Sequence, residues 1–246
     1  MLIDTHAHLT KNYYDNLEEI IKKCHEKSVD IIVASCCNTK DLDEYKEIIK
    51  HDEIYLTIGI HPEDASSYKD EDIELIRDFV GNPKVLAIGE IGLDYHYEGI
   101  DKKAQQELFR KMLNIAKENN KPIVIHSRDA TKDTIDILKE YKLRGIIHCF
   151  SGSLETAREY IKMGYYLGIG GVVTFKNSKL KEVIKEIGLD NVVLETDSPY
   201  LSPYRGEKND PSNVYEVASF LAELLNMDLS EVARVTTNNA KKIYNL

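Results

Sequence analysis

The 246-residue sequence has no long apolar run, few cysteines and no excess of basic residues. No stretch approaches the roughly 20 apolar residues of a membrane-spanning helix, so we expect no membrane association. The first residues also lack the basic segment and apolar run of a signal peptide, because Asp4 interrupts their only apolar stretch. These absences predict a cytoplasmic protein.

The four cysteines form no CxxC pair, and the neighbours Cys36 and Cys37 are poorly placed to bond each other. In a chain of this length they are predicted to be reduced thiols. A formal net charge of −10 argues against a broad basic surface for long nucleic acids. It leaves a phosphate substrate open, because bound divalent cations would reverse the charge locally. No assembly signature is present, so we expect a monomer without an obligate protein partner.

What the sequence does have is regular alternation. Apolar, β-branched runs alternate with amphipathic segments of helical spacing, and several runs are nearly continuous, as in strands buried on both faces of a parallel sheet. The eight runs are 2–5, 31–35, 54–60, 85–89, 122–126, 145–149, 165–169 and 192–196. This pattern predicts an α/β fold, a single-domain (β/α)8 TIM barrel over 1–246, with extra C-terminal helices around 212–225 and 228–243. A doubly wound open sheet is the competing architecture.

Metal-competent side chains follow most of these predicted strands. His6 and His8 are two residues apart at the end of the first, so their imidazoles share a face. The carboxyl ends of barrel strands and the loops after them form the active-site face of such folds. The other strand ends carry His61, Glu90, Asp94, His126, His148 and Asp197. Six independent structural accidents would otherwise be needed to explain the histidines and acids other than His61 and Asp94, so the pattern predicts a metal centre.

These motifs together resemble the TatD-type metal-dependent deoxyribonucleases, within the metal-hydrolase barrels that include amidohydrolases. The resemblance runs over nearly the whole chain in family order. It is carried by Asp-Thr-His-Ala-His at 4–8, Gly-Ile-His-Pro at 59–62, Gly-Glu-Ile-Gly-Leu-Asp at 89–94, His-Ser-Arg-Asp-Ala at 126–130, His-Cys-Phe-Ser-Gly at 148–152 and Glu-Thr-Asp-Ser-Pro-Tyr at 195–200.

The resemblance implies two divalent metal ions, Zn, Mn or Mg, held by a His and carboxylate set that does not choose between them. His6, His8 and Asp197 would hold one ion, His126 and His148 the other, and Glu90 would bridge both. Asp197 is expected to orient or deprotonate the attacking water as well, which makes Asp197 and Glu90 the candidate catalytic residues.

Substrate contacts are expected from Arg128, Arg205 and His61. Arg128 directly follows a candidate ligand, and a guanidinium matches phosphate geometry, although pairing with Asp129 is the alternative. Arg205 lies in the loop after the eighth strand, where Asn-Asp-Pro at 209–211 replaces the family's usual Asn-Glu-Pro. His61 is equally compatible with a purely structural role. Aromatic residues near the same ends are candidates for base stacking: Tyr95, Tyr97, Phe150 and Tyr200.

Three functions remain open at this stage. The first is a deoxyribonuclease, an exonuclease or phosphodiesterase acting on DNA or a small phosphoester. The second is a metal-dependent ester, amide or lactone hydrolase of the amidohydrolase type, including an aminoacyl-tRNA deacylase, because a metal-activated water attacks carbonyl carbon as readily as phosphorus. The third is a non-catalytic metal-binding barrel, which a complete ligand set disfavours.

Overall fold

The fold alternates strands and helices along the whole chain. A computed structural model describes all residues, 1–246. Its strands are β1 Leu2–Ala7, β2 Val29–Cys36, β3 Ile54–Ile58, β4 Val85–Asp94, β5 Ile123–Arg128, β6 Gly145–Ile147, β7 Tyr166–Ile169 and β8 Val192–Leu194. Its helices are α1 Leu17–Glu26, α2 Leu42–Ile48, α3 Asp70–Phe79, α4 Lys102–Glu118, α5 Thr131–Tyr141, α6 Leu154–Lys162, α7 Leu180–Ile187, α8 Val214–Leu225 and α9 Leu229–Tyr244.

The eight strands form one parallel sheet in sequence order, β1 to β8. The sheet turns back on itself, because Ala7 pairs with Ser198 and the backbone N–H of Asp197 donates to the carbonyl of His6 at 3.0 Å. The predicted (β/α)8 barrel is therefore confirmed, and the doubly wound open sheet is wrong. The extra C-terminal helices are present as α8 and α9.

A buried carboxylate ties the first strand to the chain that follows the last. Asp4 is fully buried and accepts hydrogen bonds from the Thr196 backbone N–H at 2.9 Å and the Thr196 hydroxyl at 2.6 Å. The Thr5 hydroxyl donates to the Leu194 carbonyl at 2.9 Å. A buried polar group is stable only when it is bonded in this way. These bonds fix the ends of β1 and β8 side by side, where His6 and Asp197 emerge.

The apolar core has two parts. The larger packs the helices against the outside of the sheet, and the smaller fills the barrel interior. Interior residues such as Ile3, Val33 and Val124 meet Ile243 and Tyr244 of α9. The barrel is thus packed with side chains rather than hollow, as this fold requires. No helix combines the length and the apolar character needed to cross a bilayer.

Most predicted strands shift by a few residues at their ends. β4 is longer than predicted and continues to Asp94, with an irregularity in its pairing to β5 between Ile88 and Ile91. β6 and β8 are shorter than predicted, since Cys149 and Asp197 have φ of 47° and 53° and leave the sheet. The departures in β4, β6 and β8 lie at the carboxyl ends, where the polar side chains are.

Gly92 is required by a close approach inside β4. Its φ is 143°, and a Cβ atom built there would lie 2.0 Å from the carbonyl oxygen of His126. We expect Gly92→Ala to lower the free energy of unfolding by about 3 kcal/mol, because strain and overpacking add. Thermal unfolding measures this. Gly81→Ala is the matched control, because no atom lies within 4 Å of its Cβ position; equal melting temperatures for the two variants would contradict the prediction.

Candidate metal centre

The six predicted ligands converge at the carboxyl end of the barrel. β1 supplies His6 and, just beyond its end, His8, whose ring centroids are 5.1 Å apart. The remaining ligands come from β4, β5 and the turns after β6 and β8: Glu90, His126, His148 and Asp197. Side chains scattered over nearly 200 positions therefore occupy one cluster, as the strand-end pattern predicts.

Glu90 lies at the centre of this cluster and is almost completely buried. Its Oε2 is 3.3 Å from His6 Nε2. Its Oε1 is 2.9 Å from His126 Nδ1 and 3.7 Å from His148 Nε2. One carboxylate oxygen thus lies near His6, and the other lies near His126 and His148. This arrangement suits a carboxylate that bridges two cations.

Asp197 joins the cluster through a single oxygen. Its Oδ1 lies 3.5 Å from His8 Nε2, 3.6 Å from His148 Nε2 and 3.8 Å from His6 Nε2. None of these contacts uses Oδ2. The second oxygen is therefore left for another partner on the open side of the cluster.

Both acids are anions at neutral pH. Burial by itself raises the pKa of Glu90, but the imidazoles of His148, His126 and His6 outweigh it and hold that pKa well below its ordinary value. The pKa of Asp197 is lowered in the same way: burial opposes the shift, and His148, His8 and His6 impose it. Two buried anions side by side create a strong local demand for positive charge.

Three histidines of the cluster have raised pKa values and carry that positive charge when no ion does: His8, His126 and His148. For His8, burial lowers the pKa, but Cys37 and Asp197 outweigh it. Burial lowers the pKa of His126, but Asp94 and Glu90 outweigh it and raise the pKa to about 9. For His148, burial is likewise outweighed, by Glu195, Glu90 and Asp197, and the pKa rises to about 10. Imidazoles that attract protons this strongly sit where a cation is electrostatically favoured. Binding of a metal ion would release these protons.

The donor set fits divalent metal ions. Neither ring nitrogen of His6 has a hydrogen-bond partner, although the side chain is buried. Unsatisfied buried polar atoms are costly and rare, and coordination to an ion would satisfy this imidazole. Groups of three or more donors that could share an ion include His6 with His8 and Glu90, His6 with His148 and Asp197, and His61 with Glu90 and His126.

Carboxylates also lie behind the candidate ligands. The His126 ring lies between Glu90 and Asp94, whose Oδ2 is 2.9 Å from Nε2. His148 Nδ1 lies 3.1 Å from Oε1 of Glu195. Each imidazole therefore presents one nitrogen to the cluster and the other to an acid. Such pairs orient metal-binding histidines and raise their basicity.

His61 borders the cluster, with Nε2 3.7 Å from Glu90 Oε1. Its Nδ1 accepts a hydrogen bond from the backbone N–H of Glu63 at 3.3 Å. Because a neutral imidazole carries one proton, this bond places the proton on Nε2. When no ion is bound, His61 therefore presents an N–H donor toward Glu90 and the cluster.

The predicted phosphate contacts lie farther out. Arg128 ends β5, is exposed, and forms no ion pair; its guanidinium lies over the Tyr97 ring at 5.6 Å. Asp129 contacts His96 instead, so the alternative pairing of Arg128 with Asp129 is not observed. Arg205 is exposed in the loop after β8, and no hydrogen bond or ion pair joins it to the cluster.

Only some of the predicted aromatic residues face the open side. Tyr97 and Tyr200 are about half exposed, at 55% and 49%. Phe150 is buried against Tyr160, and the Tyr95 hydroxyl donates to Asp133. Stacking on a substrate base is therefore available to Tyr97 and Tyr200, and burial removes Phe150 from that role.

Comparison with known proteins identifies the family. A family model described as TatD related DNase matches residues 3–245. The chain belongs to the TatD family. The uncharacterized metal-dependent hydrolase YabD of Bacillus subtilis is 47% identical over the full length of both chains. The uncharacterized metal-dependent hydrolase YcfH of Escherichia coli K12 is 34% identical over 100% of this chain and 96% of its own.

A solved TatD structure has the same fold. The crystal structure of YjjV, a TatD homolog from Escherichia coli K12, superposes with a TM-score of 0.94 at 28% identity and covers 100% of this chain and 98% of its own. The resemblance drawn from the strand-end motifs is therefore confirmed. The chain is a TatD-family barrel, and this is a family of metal-dependent hydrolases.

Two neighbours of the TatD site were missed by the sequence reasoning. Glu195 belongs to the motif at 195–200, two residues before Asp197, but the motif alone assigns it no role. Cys37 directly follows β2, and the sequence predicts for it only a reduced thiol. Its Sγ lies 3.5 Å from Glu90 Oε2. The spacing of two residues between Glu195 and Asp197 could have indicated that Glu195 lies near the site. For Cys37, the position immediately after a strand was the available signal.

Glu195 is expected to tune the TatD site through His148. Its side chain is fully buried and packs closely against Gly168, where a Cβ would lie 2.3 Å from Glu195 Oε2. We expect Glu195→Gln to weaken metal binding by about 10–100-fold, the usual cost of removing such a partner. Competitive titration with a chelating dye measures this. Glu26→Gln, an exposed residue in α1, is the control; unchanged affinity in Glu195→Gln would contradict the role.

Proposed function

We propose that this chain is a two-metal phosphodiesterase, a deoxyribonuclease of the TatD type. The observation that carries the proposal is the division of the Glu90 contacts, with Oε2 facing His6 and Oε1 facing His126 and His148. In this proposal His6, His8 and Asp197 hold one ion, His126 and His148 hold the second, and Glu90 holds both. When bound, such a pair of ions lowers the pKa of a water and neutralises phosphate oxygens.

The residues of the chain then divide the remaining work. Asp197 keeps Oδ2 free of the imidazole contacts, so this oxygen can accept the proton of the attacking water. His61 donates from Nε2 to a phosphate oxygen, because the Glu63 backbone holds its Nδ1 as an acceptor. Both groups act from fixed positions, which limits the cost of ordering them during the reaction.

The exposed guanidinium of Arg128 favours a phosphate substrate over a carbonyl substrate. Arg128 carries no ion pair in a protein with a net charge of −10, and its guanidinium is held over Tyr97. An unpaired guanidinium matches the oxygens of a phosphodiester. Tyr97 and Tyr200 offer half-exposed rings for a nucleobase. The net charge of −10 argues against a broad basic surface and so favours short or single-stranded DNA over long duplexes as the substrate.

The test is a substrate panel with metal-replete protein. Single-stranded DNA, bis-p-nitrophenyl phosphate, carboxylic esters, lactones and an aminoacyl-tRNA are assayed with Mg²⁺, Mn²⁺, Zn²⁺ and Co²⁺ in turn. We expect the phosphodiesters to be cleaved fastest. Arg128→Ala should lower their kcat/KM by about 10–100-fold, the loss of a charged hydrogen bond, without changing metal content.

Arg144→Ala is the control for this panel, because Arg144 lies just before β6 at the opposite end of the barrel and contacts Asn245. Faster cleavage of esters, lactones or aminoacyl-tRNA, with no effect of Arg128→Ala, would contradict the phosphodiesterase proposal. It would support the amidohydrolase type of activity instead.

A further inference from the structure

Cys37 places a thiol inside the candidate metal centre. It follows the last residue of β2 and is partly buried. Its Sγ lies 3.5 Å from Glu90 Oε2 and 3.9 Å from His8 Nδ1. The thiol therefore contacts two residues of the cluster from a strand that contributes none of the six candidate ligands.

An unpartnered imidazole points to the same place. His6 is 1% exposed and neither of its ring nitrogens has a hydrogen-bond partner. Its Nε2 lies 3.3 Å from Glu90 Oε2, the oxygen that Cys37 contacts. A thiol and a free imidazole nitrogen thus converge on one carboxylate oxygen.

The separations are those of donors that share one ion. With Zn–S near 2.3 Å and Zn–O or Zn–N near 2.1 Å, the angles of about 90–120° at a five-coordinate ion put sulfur about 3.1–3.8 Å from oxygen and nitrogen about 3.0–3.6 Å from oxygen. The corresponding distances here are 3.5 Å for Cys37 Sγ to Glu90 Oε2 and 3.3 Å for His6 Nε2 to that oxygen. Both donors therefore lie at ligand spacing from the same oxygen of Glu90.

We propose that Cys37 is a further ligand, as a thiolate, of the ion held by His6, His8, Glu90 and Asp197. The S–H bond breaks as the sulfur–metal bond forms, and its proton passes to solvent. A thiolate among nitrogen and oxygen donors makes this position selective for thiophilic ions, Zn²⁺, Co²⁺ or Cd²⁺, over Mg²⁺ and Mn²⁺. The inference rests on the ligand set proposed above and adds to it a donor that selects the metal.

The test is the absorption spectrum of the chain loaded with Co²⁺. A cobalt–thiolate bond gives an intense sulfur-to-metal charge-transfer band in the near ultraviolet, whereas visible d–d bands report cobalt bound to any of these donors. We expect both in the wild-type chain. Cys37→Ser should lose the charge-transfer band and keep the d–d bands. Cys37→Ala is the second variant, and circular dichroism confirms that both are folded.

The other thiols serve as controls. Cys149→Ser removes a thiol that lies close to His148 and Glu195, and Cys24→Ser removes one that is buried in the helix-side core. Both variants should keep the charge-transfer band. In parallel, Cys37→Ser should weaken Cd²⁺ binding by about tenfold or more, as loss of a metal-site partner does, and leave Mg²⁺ binding unchanged.

Each possible spectrum tests a different part of the proposal. A wild-type spectrum with d–d bands and no charge-transfer band overturns the thiolate and leaves the His and carboxylate ligand set intact. A charge-transfer band lost in Cys149→Ser rather than Cys37→Ser also overturns the assignment. The absence of every cobalt band overturns the ligand set itself, and the thiolate with it.

Discussion

Asp197→Asn is expected to lower kcat by about 10²–10⁴-fold, the usual contribution of a general base. The substitution keeps the volume of the side chain and its place after β8. It removes the negative charge that three imidazoles stabilise and the basic oxygen proposed to accept the proton of water. Because the amide oxygen of Asn still coordinates weakly, we expect a larger loss in turnover than in metal content.

Steady-state kinetics on bis-p-nitrophenyl phosphate at saturating metal, with metal analysis of the same sample, measures both quantities. Circular dichroism and thermal unfolding establish that the fold survives. Asp190→Asn is the matched control, because Asp190 is exposed before β8, at the other end of the barrel, and forms no ion pair. Activity near that of the wild type in Asp197→Asn at saturating metal would refute the role of Asp197 as a base.

The barrel itself is predictable from this sequence because two signals agree. Near-continuous apolar runs mark strands that are buried on both faces, and amphipathic segments mark the helices between them. The caps are equally local: Asp101 and Ser153 accept from backbone N–H groups three residues ahead, as N-cap residues do. The C-terminal helices, predicted around 212–225 and 228–243, are 214–225 and 229–244. Local pattern is sufficient for this part of the structure.

The ends of the strands are less predictable, and they determine the site. β6 and β8 end early because Cys149 and Asp197 adopt positive φ, a conformation that residue type does not announce. Asp210, which stands where the family usually has Glu, caps the turn at 211–213 by accepting from the Ser212 backbone N–H. Its role is local structure. Which residue at a strand end faces the cluster depends on such backbone turns, and apolar patterning does not encode them.

The contacts behind the ligands are tertiary and were therefore missed. Glu195 reaches His148 only because β6 and β8 flank β7, whose Gly168 leaves space for the carboxylate. Cys37 meets Glu90 across two strand spacings of the barrel. A single sequence shows which side chains follow strands. It does not show how far each one reaches across the barrel mouth.

Removal of metal is the second prediction with a large expected effect, because the proposed activation of water depends on the bound ions. Without ions, His126 and His148 hold protons at neutral pH, as their raised pKa values of about 9 and 10 require. Those protons occupy the nitrogens that the proposed ligand set needs. We expect chelation with EDTA and dialysis to lower phosphodiesterase activity by about 10³-fold or more, since the nucleophile near neutral pH depends on the ions.

Stability is expected to change in the same direction. An ion present at 100 times its Kd stabilises the folded state by about 2.7 kcal/mol, so the stripped protein should melt at a lower temperature. Kinetics, differential scanning fluorimetry and metal analysis are measured on the stripped protein and after return of each ion. EDTA already saturated with the same ion is the control. Undiminished activity after stripping, or fewer than two ions per active chain, would contradict the two-metal proposal and leave the TatD barrel to be explained by other chemistry.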